Sequence, residues 1–402
     1  MGPTRRSQRQ PNAGNRNQLF TPEPSSNNSF QPAETLHDKR RRWSTLLRDQ
    51  QYHTVITDVL AEELKKYTNS TVILPTSLSS IIRECILILA SAPRIFTAAV
   101  DGILTIRFPV DEDIQTEYAE IQTRAHIQPS IYIHLLADEN GNAPSPNQYM
   151  AIRDSILEYI GDAGSEPASL IDNITPPRVP RSATIVGHRK YIWTTRRSER
   201  RVQALQRFCA GILQRYLETP QRERDLPFAH PPGECGYAIN SHKRLEQHRR
   251  HISSNYIMNL VSDICIHLHR TRQFPQLFYM HQFIIYLIFK PQQIEIAEMF
   301  CSGLLQVWVD NGGGFNHYPA GLSNASAKRV SGEQWEEFER YAVANSTLLD
   351  TLRMQKDLLE SVLRDLGLEE AEAWREALES ESENLDDGDG DGDYVNEEML
   401  DD

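Results

Sequence analysis

Gly236-Tyr237-Ala238-Ile239-Asn240-Ser241-His242-Lys243-Arg244-Leu245-Glu246-Gln247-His248 reads as a strand end, a turn and the opening of a helix. Tyr237 follows a glycine and would project from the strand. Arg244 and His248 stand four residues apart and share one helix face. A guanidinium in that place can hold a phosphate oxygen bidentately. An imidazole or phenol beside a bound water can relay a proton. Further along, Glu298 is the carboxylate best placed to hold a Mg2+ ion for such chemistry, with Glu295 its competitor on the same helix face. The run Gly312-Gly313-Gly314 lacks the Lys-Ser/Thr of a phosphate loop and predicts a sharp turn that lets Phe315, His317 and Tyr318 pack back.

Working outward, the chain reads as a helix-rich α+β protein with two small mixed domains. Residues 1–41 form a disordered basic arm and 42–162 an N-terminal α/β domain. A Pro-rich linker follows at 163–181, then a C-terminal α+β domain at 182–330 that carries the candidate site. Residues 331–368 make a helical tract and 369–402 an acidic disordered tail. In the first domain a helix is expected after the basic cluster, through Trp43, Leu47, Val55, Val59 and Leu64. A second follows Pro75, capped by Thr76 or Ser77. A strand pair is expected around Asp101-Gly102, a buried strand at Ile131-Tyr132-Ile133-His134-Leu135-Leu136, and a helix from Ser145-Pro146. The second domain predicts strands at 183–186 and 191–194. Its long helix, Ser198 to Leu217, turns Arg200, Arg201, Arg207 and Arg215 outward. Helices follow near 254–269 and 292–308. The 331–368 tract reads as a helical hairpin broken near Asn345-Ser346, to pack on the body or on a second chain.

Charge is unevenly spread over the 402 residues. Sixteen acids and one arginine between Glu369 and Asp402 account for the net −13, so the remainder stands near +2. Residues Arg5 to Arg48 carry nine Lys or Arg against three acids and end in Lys39-Arg40-Arg41-Arg42. That cluster reads as a nuclear-import or phosphate-binding element. The five cysteines are widely spaced with no Cys-x-x-Cys pair, which argues against a zinc ribbon or disulfide framework. No compact set joins carboxylates to His248, His251, His267 or His269 in sequence, so no histidine metal site is predicted. The Asp-Gly run near the C-terminus lacks the ordered ligands of an EF-hand. No secretory signal and no span long enough for a bilayer is visible, and a reducing compartment, taken here as the nucleus, is expected.

The pattern Gly-Tyr-x-x-Asn-x-x-x-Arg-Leu-x-x-His at 236–248 resembles the second half of the signature of GIY-YIG nucleases. The resemblance implies a small mixed sheet flanked by helices. It gives Tyr237 the water-assisting role, Arg244 the scissile phosphate and Glu298 a divalent metal, with His248 matching a histidine found after the arginine. The pattern departs upstream. The family's first-strand tyrosine falls ten to fifteen residues before the second, where this chain has the proline-rich 222–233. Tyr191 could stand in only across a long insertion. The blocks 253–260 and 311–323 also resemble segments of a fungal protein group, which implies no activity.

Two functions follow as expectations. One is a non-catalytic nuclear regulatory or accessory protein, of the gene-cluster or mating-locus kind, acting through nucleic-acid or charged protein partners. The other is a divergent Mg2+-dependent nuclease built on Tyr237, Arg244, His248 and Glu298. No membrane association and no small-molecule cofactor is expected under either, and the helical tract offers a route to an oligomer.

Overall fold

The structure, a computed structural model, describes residues 34–67, 76–161, 164–252, 255–319, 329–362 and 372–378. The chain enters through α1 (Leu36–Arg48), α2 (Tyr52–Glu63), α3 (Leu78–Ala90), α4 (Arg94–Val100), the short α5 (Leu104–Arg107) and α6 (Glu112–Arg124). Strand β1 (Ser130–Ala137) follows, then α7 (Pro146–Gly161), α8 (Glu166–Ile171), α9 (Arg181–Ile185) and α10 (Glu199–Glu218). Next come β2 (Gly233–Ala238), α11 (Ser241–Arg249), α12 (Tyr256–Arg270), β3 (Tyr279–Leu287) and α13 (Gln293–Leu304). The last two are α14 (Gly332–Asn345) and α15 (Leu348–Val362). The protein is helix-rich α+β, and no helix among the described residues is long and apolar enough to cross a membrane.

The three strands form one antiparallel sheet in the order β2-β1-β3. All eight residues of β1 are buried. A strand buried on both faces must also have both edges hydrogen-bonded, because unpaired backbone groups cannot be left without water. Its two partners come from the far side of residues 163–181, so the expected split into separate domains at 42–162 and 182–330 does not hold. The sheet runs through both. Residues 163–181 are not a bare linker either: they contain α8, and the fully buried Asp172 accepts a bond from the Lys190 backbone N–H at 3.0 Å and another from the Tyr159 hydroxyl.

Period two divides the sheet's faces. Ile131, Ile133, Leu135 and Cys235 face a core that includes Val55, Ile86, Phe96 and Phe300. Leu136, on the other face, belongs to a second core with Tyr149, Phe208, Ile257 and Phe315. Residues 138–232 therefore form a helical insertion between the first two strands. The outer edge of β2 is closed by a side chain: Asn316 donates to the Cys235 carbonyl at 2.9 Å and accepts from its N–H at 3.1 Å. The glycine run makes this possible. A Cβ on Gly314 would lie 1.8 Å from the Gly233 carbonyl oxygen, so only glycine lets the turn reach β2. Phe315 is buried as expected, while Tyr318 stays exposed.

Several local expectations are corrected. The segment around Asp101-Gly102 is helix–turn–helix, not a hairpin: Ile95, Phe96, Ala98, Ala99, Val100 and Leu104 are all buried in two short helices, too dense for a two-faced strand. Residues 183–186 lie in α9 and its end, and 191–194 contribute one isolated bridge, Trp193 to Arg197. Arg215 is buried, donating to the carbonyls of Gly312 and His230 at 3.0 and 2.6 Å.

The basic cluster does not precede the first helix but lies inside it. Arg40 is 4% exposed and donates to the carbonyls of Ala99 and Val100. Lys39 pairs with Glu62 and Arg42 with Asp58. Only Arg41 is left both exposed and outside such a pair, so the cluster offers no contiguous basic surface for phosphate or an import receptor. The C-terminal hairpin breaks at Ser346 as expected and packs on the body. Phe338, Leu348, Leu352 and Leu359 join the first core, and the Gln355 amide donates to the Gln50 carbonyl at 2.9 Å. These four residues are thus covered within the chain, while Met354 and Leu358 of α15 stay exposed. Of the expected acidic tail, 372–378 are helical with Trp374 buried against His53. The rest of that tail and residues 1–33 of the basic arm fall outside the described residues.

Candidate functional site

The antiparallel register sets Tyr132 opposite Gly236 and His134 opposite both Glu234 and Gln282. These side chains share the sheet face that α11 crosses. Asn240 caps α11 by accepting from the Lys243 N–H at 2.9 Å. Ser241 at its start meets Ser130 of β1 at 2.7 Å, oxygen to oxygen. Pinned there, the helix turns Arg244, Leu245 and His248 down onto the strands.

His134 Nδ1 donates to Glu234 Oε2 at 2.7 Å. Its Nε2 faces the Gln282 amide nitrogen at 3.0 Å, and Gln282 Oε1 accepts from Arg249 at 2.8 Å. The amide orientation and the histidine tautomer support each other. Tyr132 Oη accepts from Arg244 Nε at 3.3 Å and lies 3.3 Å from His248 Nε2. The His134 and His248 rings stand 4.5 Å apart, centroid to centroid. One donor atom each from His134, Glu234 and His248 lies within 4.8 Å of the other two. His248 Nδ1 is buried and meets no hydrogen-bond partner among the described residues.

The charges are set by this packing. Burial works against the Glu234 carboxylate, but the His134 hydrogen bond and the nearby His134, His248 and Arg244 overcome it and hold its pKa down at about 2. Burial lowers His248 to about 3, with Glu234 opposing. Burial also opposes the Arg244 charge, and Tyr132, Glu234 and Glu298 more than offset it. Tyr132 is pushed well above the ordinary phenol range by burial first, then by Glu234. Cys235 points to the other face, and burial raises its thiol well above the usual range, so it is no nucleophile.

Of the residues expected at the site, Arg244 and His248 converge. Tyr237 does not join them on that face. It neighbours Gly236, whose Cα faces the Tyr132 ring, so alternation turns Tyr237 toward Ile131 and the first core. The phenol that meets Arg244 is Tyr132. Tyr191 lies elsewhere, donating to Asp263 in a polar knot with Thr175 and Lys190. Glu298, on α13, is half-buried, and its charge reaches Tyr132, Arg244 and Cys235. Glu295 on the same helix has its pKa raised by burial.

Sequence reasoning missed Tyr132, His134, Glu234 and Gln282. A signal for two of them existed: in the apolar run 131–136, period two places the polar Tyr132 and His134 on one face. Gly236 is required here, since a Cβ would lie 2.4 Å from Tyr132 Oη. Gly236→Ala is expected to cost about 1–3 kcal/mol in denaturant unfolding, because the buried ring has nowhere to go. A cost under about 0.5 kcal/mol would mean that Tyr132 moves freely. Beyond this geometry the chain stands by itself: no family model, no curated protein and no solved structure matches it.

Proposed function

We propose that this protein is a non-catalytic accessory factor that works through nucleic-acid or charged protein partners. The observation that carries the reading is the closure of the polar cluster. Tyr132, His134, Glu234 and His248 are each 7% exposed or less. A guanidinium bonded to the protein's own phenol and a carboxylate bonded to its own histidine are already engaged. A phosphodiester would have to displace both bonds and open the layer between α11 and the sheet. Exposed cations stand outside the cluster: Lys243 and Arg249 on α11, Arg250 just beyond it, the two arginines sharing the Glu246 carboxylate, and Arg207 on α10 beside Asp310. Exposed cations attract phosphate backbones or acidic segments, with an affinity that falls as salt rises. The cluster Lys39–Arg42 plays no part in this, because Arg40 in its middle is buried and bonded to the carbonyls of Ala99 and Val100.

A second reading is favoured by one observation. Strand β1 supplies Tyr132 beside Arg244, a first-strand tyrosine hidden from sequence spacing by the insertion. In that reading the protein is a divergent GIY-YIG-type nuclease, with Arg244 on the phosphate and Glu298 on Mg2+. Incubation of the full chain with supercoiled plasmid and Mg2+ or Mn2+ separates the two. No conversion to nicked circles above a metal-free control is expected. Nicking that disappears in Arg244→Ala would replace the first reading with the second.

A further inference from the structure

We propose that His134, Glu234 and His248 bind one zinc-class divalent cation that fastens α11 to the sheet. Their donor atoms lie within 4.8 Å of one another and come from three elements that already meet, β1, β2 and α11. Zinc bonds of about 2.0–2.2 Å hold tetrahedral donors roughly 3.3–3.6 Å apart. His134 Nδ1 and Glu234 Oε2, now hydrogen-bonded at 2.7 Å, would open to that spacing, and a pair at the 4.8 Å limit would close by about an ångström.

The donor set selects the ion. Two imidazoles and one carboxylate suit a first-row divalent metal and not Mg2+ or Ca2+, which take oxygen ligands. Cys235, next to Glu234 in sequence, is on the other face and stays out of the set. His248 is 3% exposed, and its Nδ1 has no partner among the described residues, so this lone pair is the group that a cation would satisfy. The opposite ring nitrogen faces Tyr132 Oη at 3.3 Å, and a contact of this kind at the far nitrogen orients a ligating histidine. At His134, Gln282 takes that place at 3.0 Å. If His134 ligates through Nδ1, its proton moves to Nε2, and the Gln282 amide can turn to accept it. Arg244 does not forbid the ion, since the charges of Glu234 and Glu298 both reach it.

This site is independent of whether the chain cleaves nucleic acid, because the acid that the nuclease reading assigns to Mg2+ is Glu298, on α13. Metal-free full-length protein titrated with zinc sulfate, with magnesium chloride in parallel, gives the test. One equivalent of zinc is expected to survive gel filtration. The thermal midpoint should rise by about 5 °C with zinc in excess and stay unchanged with magnesium. His248→Gln and Glu234→Gln should each weaken zinc binding more than about tenfold. The circular dichroism of the metal-free variants should match the parent, which separates a lost ligand from a lost fold. Wild-type protein that retains no zinc and shows no midpoint shift overturns the proposal, as does undiminished affinity in both variants.

Discussion

Glu234→Ala is expected to destabilise the protein by about 3–5 kcal/mol, measured by denaturant unfolding at pH 7 in metal-free buffer. The carboxylate is 7% exposed and is the acceptor for His134 Nδ1. Removing it strands a buried donor and takes away a counter-charge that reaches Arg244. Both penalties fall in a buried layer, which is why breaking one side of a buried pair costs far more than an exposed pair contributes. Glu246→Ala is the matched control. That acid lies on the same helix as Arg244, pairs with Arg249 and Arg250 at 3.1 and 3.6 Å, and has a half-exposed side chain. Its loss should cost less than about 0.5 kcal/mol. Glu234→Gln should fall between the two, since an acceptor for His134 remains. Equal losses for Glu234→Ala and Glu246→Ala would show that the His134–Glu234 pair contributes nothing beyond a surface contact.

The same carboxylate explains why the site was only half legible beforehand. Arg244 and His248 lie four apart in one helix, a local relation, and period alone put them on a shared face. Glu234 lies two residues before Gly236, and in sequence it competes with Tyr237 for the face that α11 covers. The phase of the strand decides between them, and phase is set by what lies across the ladder. Tyr132 stands opposite Gly236, so the tyrosine that follows the glycine must face away. That information resides about a hundred residues upstream, on the far side of α7 to α10. No spacing rule reaches across such an insertion.

The fold was legible in the same measure. Helix caps and turns are local, and Ser77, Ser198 and Asn345-Ser346 mark real boundaries. Strand β1 was legible because a short, mostly apolar run with two isoleucines and a tyrosine, bounded by turn residues, has few other solutions. Proline density does not mark a domain boundary here. Pro167 instead opens a short helix at its first turn, and Asp172 just beyond is fully buried. Likewise the run Lys39–Arg42 suggested an exposed patch because charge seldom goes inside. Arg40 is the exception, bonded to the carbonyls of Ala99 and Val100 near the end of α4, where the helix dipole favours a cation. Composition identifies a charge but not the element that will receive it.

Acid should destabilise the metal-free protein over two pH windows, and His248 contributes to the upper one. Its pKa is lowered by burial from 6.5 to about 3. The folded value lies below the unfolded one, so the neutral ring contributes stability that is complete above pH 6.5 and drains away as pH falls toward 3. The slope is about 1.4 kcal/mol per pH unit, or roughly 3 kcal/mol between pH 6.5 and 4.5. Glu234, held down at about 2 from 4.5, has the same sign but a lower window, losing its contribution from pH 4.5 downward. Burial also lowers His230, His251, His267, His281 and His317, so the wild-type slope is a sum over several rings. The difference between wild type and His248→Gln isolates one of them. Unfolding free energies measured at half-unit intervals should show that difference shrinking by about 3 kcal/mol between pH 6.5 and 4.5, then continuing to shrink toward pH 3. A difference that stays constant across that range would mean that His248 takes up its proton as readily in the folded protein as in the unfolded chain, and that the layer between α11 and the sheet is open to water.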